Sequence, residues 1–547
     1  MDTFKLNRRL TLNYGLRYEH YGVQHNNKGD LDSNFYLGSG SSFEQQVANG
    51  SVQIASHSPV GQFWAPSWGT AAPRVGFAYD LFGDGKTALR GGYGISYERN
   101  FGNVTYNASF NPPASAVLNS VCGPNGNGLI GDAVGNPCST VVTNNNMGPL
   151  GLPGPASYLP PSELRAPKQN IRTAQTQFWS LDIQRQVTPN SIFDVSYSGA
   201  HGVHLYDIYN INLVGAAQFY LGAPTSFPGI TCEYTGANGA CLTRPDSQYT
   251  NINMRGSSGF SHYDALNLKY QMQNIHHTGL SLVANYTYAH SLDNISSTFS
   301  DSLQGGSGYI GSLGYTSFSD PRLDYGNSDY DIRHRFVVTP IWQTPWFSSG
   351  RGWKAQTLGG WTISGIITVR TGLPFSVFDY GNNFNGYQVA RLTPATPITQ
   401  WHTGTPVAST ASGAYNTFNA LTIPIPASFA PLDSALGISD FGPYPANMTG
   451  RNQFRGPGAW NSDLALSKQF KLTERFGLEF RAEGYDVFNH HNYFVNTTTL
   501  AYSGLLANGQ TPPPIEVTEM KGGLGSLATG GNHDERRFGQ FALRFIF

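Results

Sequence analysis

Apolar residues in this chain recur at every second position over stretches of about ten residues, and no apolar run approaches the roughly 18 residues of a membrane-spanning helix. From Leu10 the apolar set is Leu10, Leu12, Tyr14, Leu16 and Tyr18, interleaved with Thr11, Asn13, Gly15, Arg17 and Glu19. A period of two puts these sets on opposite faces of a β-strand. The same pattern returns in Val75–Tyr79, Thr87–Tyr97, Trp179–Ile183, Phe193–Tyr197, Leu266–Tyr270, Leu282–Tyr288, Trp361–Val369 and Phe476–Phe480. It returns last in Phe541, Leu543, Phe545 and Phe547, against Gln540, Ala542, Arg544 and Ile546.

The pattern predicts about thirteen strands. Short turns near 7–8, 83–85, 188–190, 274–279, 344–357 and 471–473 alternate with long polar stretches. The long stretches lie near 21–72, 99–175, 201–262, 291–331, 371–459 and 490–536. Short turns on one side and long loops on the other are the asymmetry of an outer-membrane barrel. A soluble β-sandwich or propeller also has many alternating strands, but it does not require this strict order of connections. Aromatic residues near strand ends (Tyr18, Tyr21, Tyr97, Tyr286 and Tyr288) fit a membrane girdle.

Composition agrees. Only 12% of the 547 residues are charged, about half the share of an ordinary soluble domain. With 33 basic against 34 acidic residues the net charge is −1, which leaves no electrostatic footprint for nucleic acid. Trp, Tyr and Phe number 9 + 30 + 33 = 72, too many for a solvated coil. The expected fold is therefore all-β: an antiparallel transmembrane β-barrel of the outer membrane, with short periplasmic turns and long extracellular loops.

Few motifs suggest chemistry. Gly126–Gly131 matches G-x-G-x-x-G, but it lies in an Asn/Gly/Pro-rich stretch with no helical periodicity after it, so it reads as loop. Cys122, Cys138, Cys232 and Cys241 fall in long loops as two local pairs. An oxidising compartment favours disulfides Cys122–Cys138 and Cys232–Cys241 over free thiols or a zinc site. The pairs His201/His204, His276/His277 and His490/His491 read as solvated polar residues, with metal binding the lesser alternative. Asp329, Asp331, Arg333 and His334 cluster before one strand and are the first suspects for acid–base chemistry, but no nucleophile elbow accompanies them. Accordingly no catalytic, metal or cofactor residue is assigned, and an enzyme is not expected. Arg17, Glu19, Arg90, Asp182, Lys269, Glu479, Arg481, Glu483 and Arg544 alternate with apolar residues and are expected to face the lumen, where ions avoid lipid.

The residues also resemble a known family. Pro73-Arg74-Val75-Gly76-Phe77-Ala78-Tyr79-Asp80, Gly83-Asp84-Gly85-Lys86-Thr87 and Arg90-Gly91-Gly92-Tyr93-Gly94 are similar to blocks of the Oar-like TonB-dependent receptors. So are Gly360-Trp361-Thr362-Ile363-Ser364-Gly365 with Thr371-Gly372-Leu373-Pro374-Phe375, and Asn452-Gln453-Phe454-Arg455-Gly456-Pro457-Gly458. Phe480-Arg481-Ala482-Glu483 with Phe488-Asn489-His490 is another such block. The resemblance implies a 22-stranded barrel of which residues 1–547 are the C-terminal part. A plug, a TonB-contacting segment and a signal peptide are then expected outside this sequence. An odd strand count beginning on the long-loop side suggests the same. The terminal set Phe541, Leu543, Phe545 and Phe547 resembles the signal read by the barrel-assembly machinery.

The partners expected are outer-membrane lipid, the assembly machinery, TonB through the missing N-terminal part, and an unidentified solute. The leading functional class is energised uptake of an oligosaccharide, peptide or metal chelate. A surface barrel that binds macromolecules without import is the second class, and an outer-membrane hydrolase is the third.

Overall fold

The computed structural model describes residues 2–100, 102–109, 111, 164–212, 252–296, 320–347, 352–376, 449–473, 475–490, 492–495 and 537–547. Short pieces at 234–235, 241–242, 245–246, 249, 378–379, 407–408, 421–423, 499–500 and 515–519 are described as well.

Thirteen strands form one continuous antiparallel path in chain order. They are β1 (Asp2–Lys5), β2 (Leu10–Tyr18), β3 (Ala71–Asp80), β4 (Thr87–Glu98), β5 (Ala174–Thr188), β6 (Ser191–Asn210) and β7 (Ile252–Met272). Then come β8 (Leu280–Asp293), β9 (His334–Gln343), β10 (Trp361–Arg370), β11 (Ala459–Lys471), β12 (Gly477–Tyr485) and β13 (Phe538–Ile546). Short and long connections alternate along the path, as the sequence predicts. In the β3–β4 turn the Asp80 carboxylate accepts from the amides of Gly83 (2.9 Å) and Gly85 (3.0 Å). Both glycines have positive φ, +77° and +70°, a region that costs a side chain dearly.

Register decides what each face offers. Leu10, Tyr79, Leu89, Ile183, Val195, Leu268, Tyr286, Phe336, Val369 and Trp460 pair in turn from β2 to β11 and make one unbroken apolar row. One residue away, on the opposite face, runs Thr11, Ala78, Arg90, Asp182, Ser196, Asn267, Thr287, Arg335, Arg370 and Ala459. A slip of one residue in any pair would exchange the two sets. The apolar side chains are left uncovered: Ile183, Leu266, Phe336 and Val369 are exposed, as are Phe541 and Leu543. This is the outward surface of a wall whose solvent on that side is lipid.

On β8 the outward set runs Leu280, Leu282, Ala284, Tyr286, Tyr288. Eight steps of about 3.4 Å, tilted by about 40°, span roughly 21 Å, close to the apolar band of about 25 Å in such barrels. Above Tyr197, Leu266 and Tyr288 the outward face turns polar. Asp264 pairs with His290, and His262 with His201. The Trp179 indole donates to the Tyr197 hydroxyl (3.3 Å), which in turn donates to Asp264. These polar tips mark the outer boundary. The lower boundary carries Trp342, Trp346, Trp353 and Trp361 around the β9–β10 turn, Trp342 and Trp346 meeting edge-on at 5.3 Å. Lys468, on the outward face at this level, sits over the Trp361 ring (5.2 Å) and donates to the carbonyls of Gly359 and Ala355. Its cation thus ends on the C-terminus of the short 353–357 helix, where the backbone dipole favours it.

Two sequence expectations change. Residues 201–262 are not one long loop: β6 continues to Asn210 and β7 begins at Ile252, paired through Asn253↔Asn210. Alternation fades there because Asp207–Asn210 and Ile252–Gly256 are buried continuously, so neither face is left to be apolar alone. Register shifts between Gly256 and Ser261 bend the pair. His201 and His204 are accordingly strand residues rather than a loop pair. The His201 ring meets the Ser261 carbonyl (3.0 Å) and His204 meets Arg172 (3.3 Å).

Among the described residues the free edges of β1 and β13 have no partner, so the sheet is open. The wall predicts a sharp asymmetry between adjacent positions. Leu268→Arg puts a charge in the apolar row and should cost about 2–4 kcal/mol, whereas Asn267→Arg should be near neutral. Heat-modifiability of the folded band against urea checks this, and equal costs at the two sites would contradict the assigned faces.

Candidate functional site

The long-loop side carries the packed core of the molecule. Phe35, Val47, Val52, Leu164, Tyr209, Ile211, Tyr249, Ile252 and Met254 form one buried cluster. Ala55, Phe63, Trp64, Val104, Ala108 and Ile171 form a second. Burial is inverted relative to a soluble protein: large apolar side chains are covered in the loops and uncovered on the wall. The loop aromatics pack the loops together, Phe35 meeting Tyr249 edge-on at 5.9 Å. Burial pushes the Tyr249 phenol well above its ordinary value, so it stays neutral.

Asparagine side chains stitch this cap. Asn111 donates to the Arg165 carbonyl (2.9 Å) and accepts from the Arg165 amide (2.9 Å). Asn212 donates to the carbonyls of Asp246 and Tyr249 (2.8 Å each) and accepts from the Asp246 amide (2.8 Å). Asn34 donates to the Pro167 carbonyl (2.8 Å). A side-chain amide offers the donor and acceptor of a peptide group, so it satisfies irregular backbone that has no strand neighbour.

A second assembly clamps the rim above β8–β11. Arg451 donates to the Asp293 carboxylate, the Asp293 carbonyl (3.0 Å), Ser296 and Asp329 (3.4 Å). Arg455 donates to the Asp331 carboxylate and to the carbonyls of Asp331 (3.1 Å) and Gly372 (3.3 Å). Arg333 also reaches Asp331 (3.3 Å). Asn452 and Asn327 exchange side-chain donors to each other's carbonyls, both at 2.8 Å. Beneath them Phe375 pairs with Phe454 in a short ladder, rings 5.8 Å apart and both buried. Gly372 permits this closeness, because a Cβ there would fall 1.9 Å from the Gly456 carbonyl oxygen. Burial opposes the charge on Arg451, but Asp329 and Asp293 outweigh it and its pKa is raised.

The clamp unites segments that the sequence shows apart. Asp329, Asp331 and Arg333 meet the Asn452–Gly458 block and the Thr371–Phe375 block. The suspected acid–base set does not assemble, however. Asp331 is buried and engaged by Arg333, Arg455 and the Ser291 amide (2.8 Å). His334 instead lies on the outward face, opposite Tyr288 in register and bonded to the Tyr286 hydroxyl (2.8 Å). These acids hold loops through arginine.

The charged residues singled out on the strands share one face. Arg90 reaches Asp182 (3.3 Å) and Gln184 (3.0 Å). Arg17 pairs with Glu19, and Arg481 with Glu483 (3.3 Å). Lys269 stands opposite Asp194, and Glu479 opposite Arg544. All lie on the side away from the apolar row. Phe541, Leu543 and Phe545 lie outward on β13, paired with Ala482, Phe480 and Leu478. Phe547 follows, its ring 6.3 Å from Phe545. Cys122, Cys138, Cys232 and Gly126–Gly131 lie outside the described residues. Cys241 is in a two-residue strand opposite Thr235.

A wall with one apolar and one polar face, capped by packed loops, is that of an outer-membrane β-barrel. Residues 1–513 match the family described as outer membrane beta barrel domain, and the chain belongs to that family. No curated protein matches it. Solved structures similar to it include the outer membrane transporter YddB from Escherichia coli, at 8% identity and a TM-score of 0.41 over 87% of this chain and 40% of that one. The siderophore receptor PiuA from Acinetobacter baumannii is similar at 8% identity and a TM-score of 0.37, over 100% of this chain and 42% of that one. The ferric-catecholate import receptor Fiu from K12 E. coli is similar at 10% identity and a TM-score of 0.33, over 94% and 42%. The chain therefore spans about two fifths of the length of these proteins.

Removing Arg451 leaves Asp293 and Asp329 without their cation. Arg451→Met should cost on the order of 3–5 kcal/mol locally and speed hydrogen exchange in 320–333 and 449–458 while the wall stays protected. Unchanged exchange there would show that the clamp is not what holds the rim.

Proposed function

We propose that the chain is wall and cap of a TonB-dependent outer-membrane transporter. The observation that carries this is the separation of faces: lipid-facing apolar rows, a polar face with paired ions, and a packed cap over the long-loop side. On this reading Arg17, Glu19, Arg90, Asp182, Lys269, Glu479, Arg481, Glu483 and Arg544 line a lumen. A plug and a TonB-contacting segment belong to the complete protein, as the family resemblance implies. The open edges support further strands, because an unpaired edge in lipid costs several kcal/mol per polar group. The solute is of the oligosaccharide, peptide or metal-chelate class. Disulfides Cys122–Cys138 and Cys232–Cys241 would staple two of the loops.

The test is uptake by cells carrying the complete gene. Accumulation of a solute that stops when TonB is deleted supports import. Binding of a macromolecule at the surface with no TonB-dependent accumulation would sink the transport reading and favour a surface-binding barrel. We also propose that Phe541, Leu543, Phe545 and Phe547 are read by the assembly machinery. Deleting Phe547 should lower outer-membrane levels several-fold, and unchanged levels would refute that role.

A further inference from the structure

A groove of about 390 Å³ opens beside the rim clamp, within the size range of small-molecule sites. Its lower wall is Tyr286, Phe336 and Val369, three consecutive members of the outward apolar row. His334, at the start of β9, and Arg455, Gly456 and Gly458 of the rim block also line it. The groove thus straddles the level where the outward face passes from apolar to polar.

Among the described residues the lining contains no acid, and of its basic residues Arg370 belongs to the opposite, polar row of the wall, which leaves His334 and Arg455. Arg455 is already bound to Asp331 and two carbonyls. His334 is held from two sides: its Nδ1 meets the Tyr286 hydroxyl at 2.8 Å, and its ring lies 5.0 Å from that of Tyr288. That leaves Nε2, without a hydrogen-bond partner among the described residues, at a fixed place on the outward face. A fixed polar atom above an apolar trough, with no carboxylate in the lining among the described residues, suits a molecule with an apolar chain and an anionic head.

We propose that this groove is a binding site for a phosphate-bearing lipid of the outer leaflet. One acyl chain lies along Phe336 and Val369, and a phosphate or adjoining hydroxyl bonds His334 Nε2. The occupant follows from continuity: the trough is part of the lipid-facing row, so the medium that reaches it is the leaflet itself. The site does not depend on the transport reading and stands if the barrel imports nothing.

The test uses the complete protein extracted from outer membranes, stripped of lipid in mild detergent and titrated by native mass spectrometry. The probes are lipid A, phosphatidylethanolamine and inorganic phosphate. Wild type should retain one lipid A in preference to phosphatidylethanolamine. Val369→Trp, which fills the trough, should weaken retention about tenfold or more, and His334→Phe several-fold. Val195→Trp, on the same outward row but away from the groove, controls for non-specific loss, and heat-modifiability confirms that each variant folds. Equal retention by Val369→Trp and Val195→Trp would mean annular lipid only and overturn the site. Equal retention of both lipids would overturn the assignment to an outer-leaflet lipid, undiminished retention by His334→Phe would overturn the phosphate contact, and displacement of lipid A by inorganic phosphate alone would overturn the role of the trough.

Discussion

Every other feature depends on the register of the strand ladder. In hydrocarbon each backbone donor and acceptor has to be met within the protein, and a paired sheet does this. Pairing alone fixes no faces. They are fixed because Leu10 stands opposite Tyr79, Tyr79 opposite Leu89, and so on to Val369 and Trp460. A side-chain period of two makes the register all-or-none, since one slipped pair would bury Arg90 and Asp182 in lipid. The low charge content follows, because half of each strand has no place for ions.

The wall has no core of its own among the described residues. Its stability comes from the ladder and from contact with lipid, and the packed apolar clusters lie in the loops above it. This division explains the loop composition. Loops that pack against one another need their irregular backbone satisfied, and asparagine amides do that at Asn111, Asn212 and Asn294. At the rim, where two long connections meet over β8–β11, arginines bind the acids that would otherwise repel.

The wall was legible in the sequence because a half-exposed strand writes its period directly. Leu266, Leu268 and Tyr270 name their own face. The upper parts of β6 and β7 were not legible, because burial on both sides erases the alternation that reveals a strand. The clamp was half legible. Asp329, Asp331 and Asn452–Gly458 are visible as blocks, but more than a hundred positions separate them, and nothing local says that Arg451 and Arg455 meet those acids. The role of the asparagines was not legible, because an amide that satisfies distant backbone has no local pattern. Their signal was the abundance of Asn beside aromatic residues in the loops, which a solvated loop does not need.

The most direct measurement is a cysteine-accessibility scan along Asp264–Met272 in intact outer membranes. It uses a water-soluble maleimide and a lipid-soluble one. The faces assigned here predict strict alternation: the water-soluble reagent labels Asn267, Lys269 and Gln271, and the lipid-soluble one labels Leu266, Leu268 and Tyr270. Loss of alternation, or water labelling of the Leu266 set, would contradict a wall with one face in lipid.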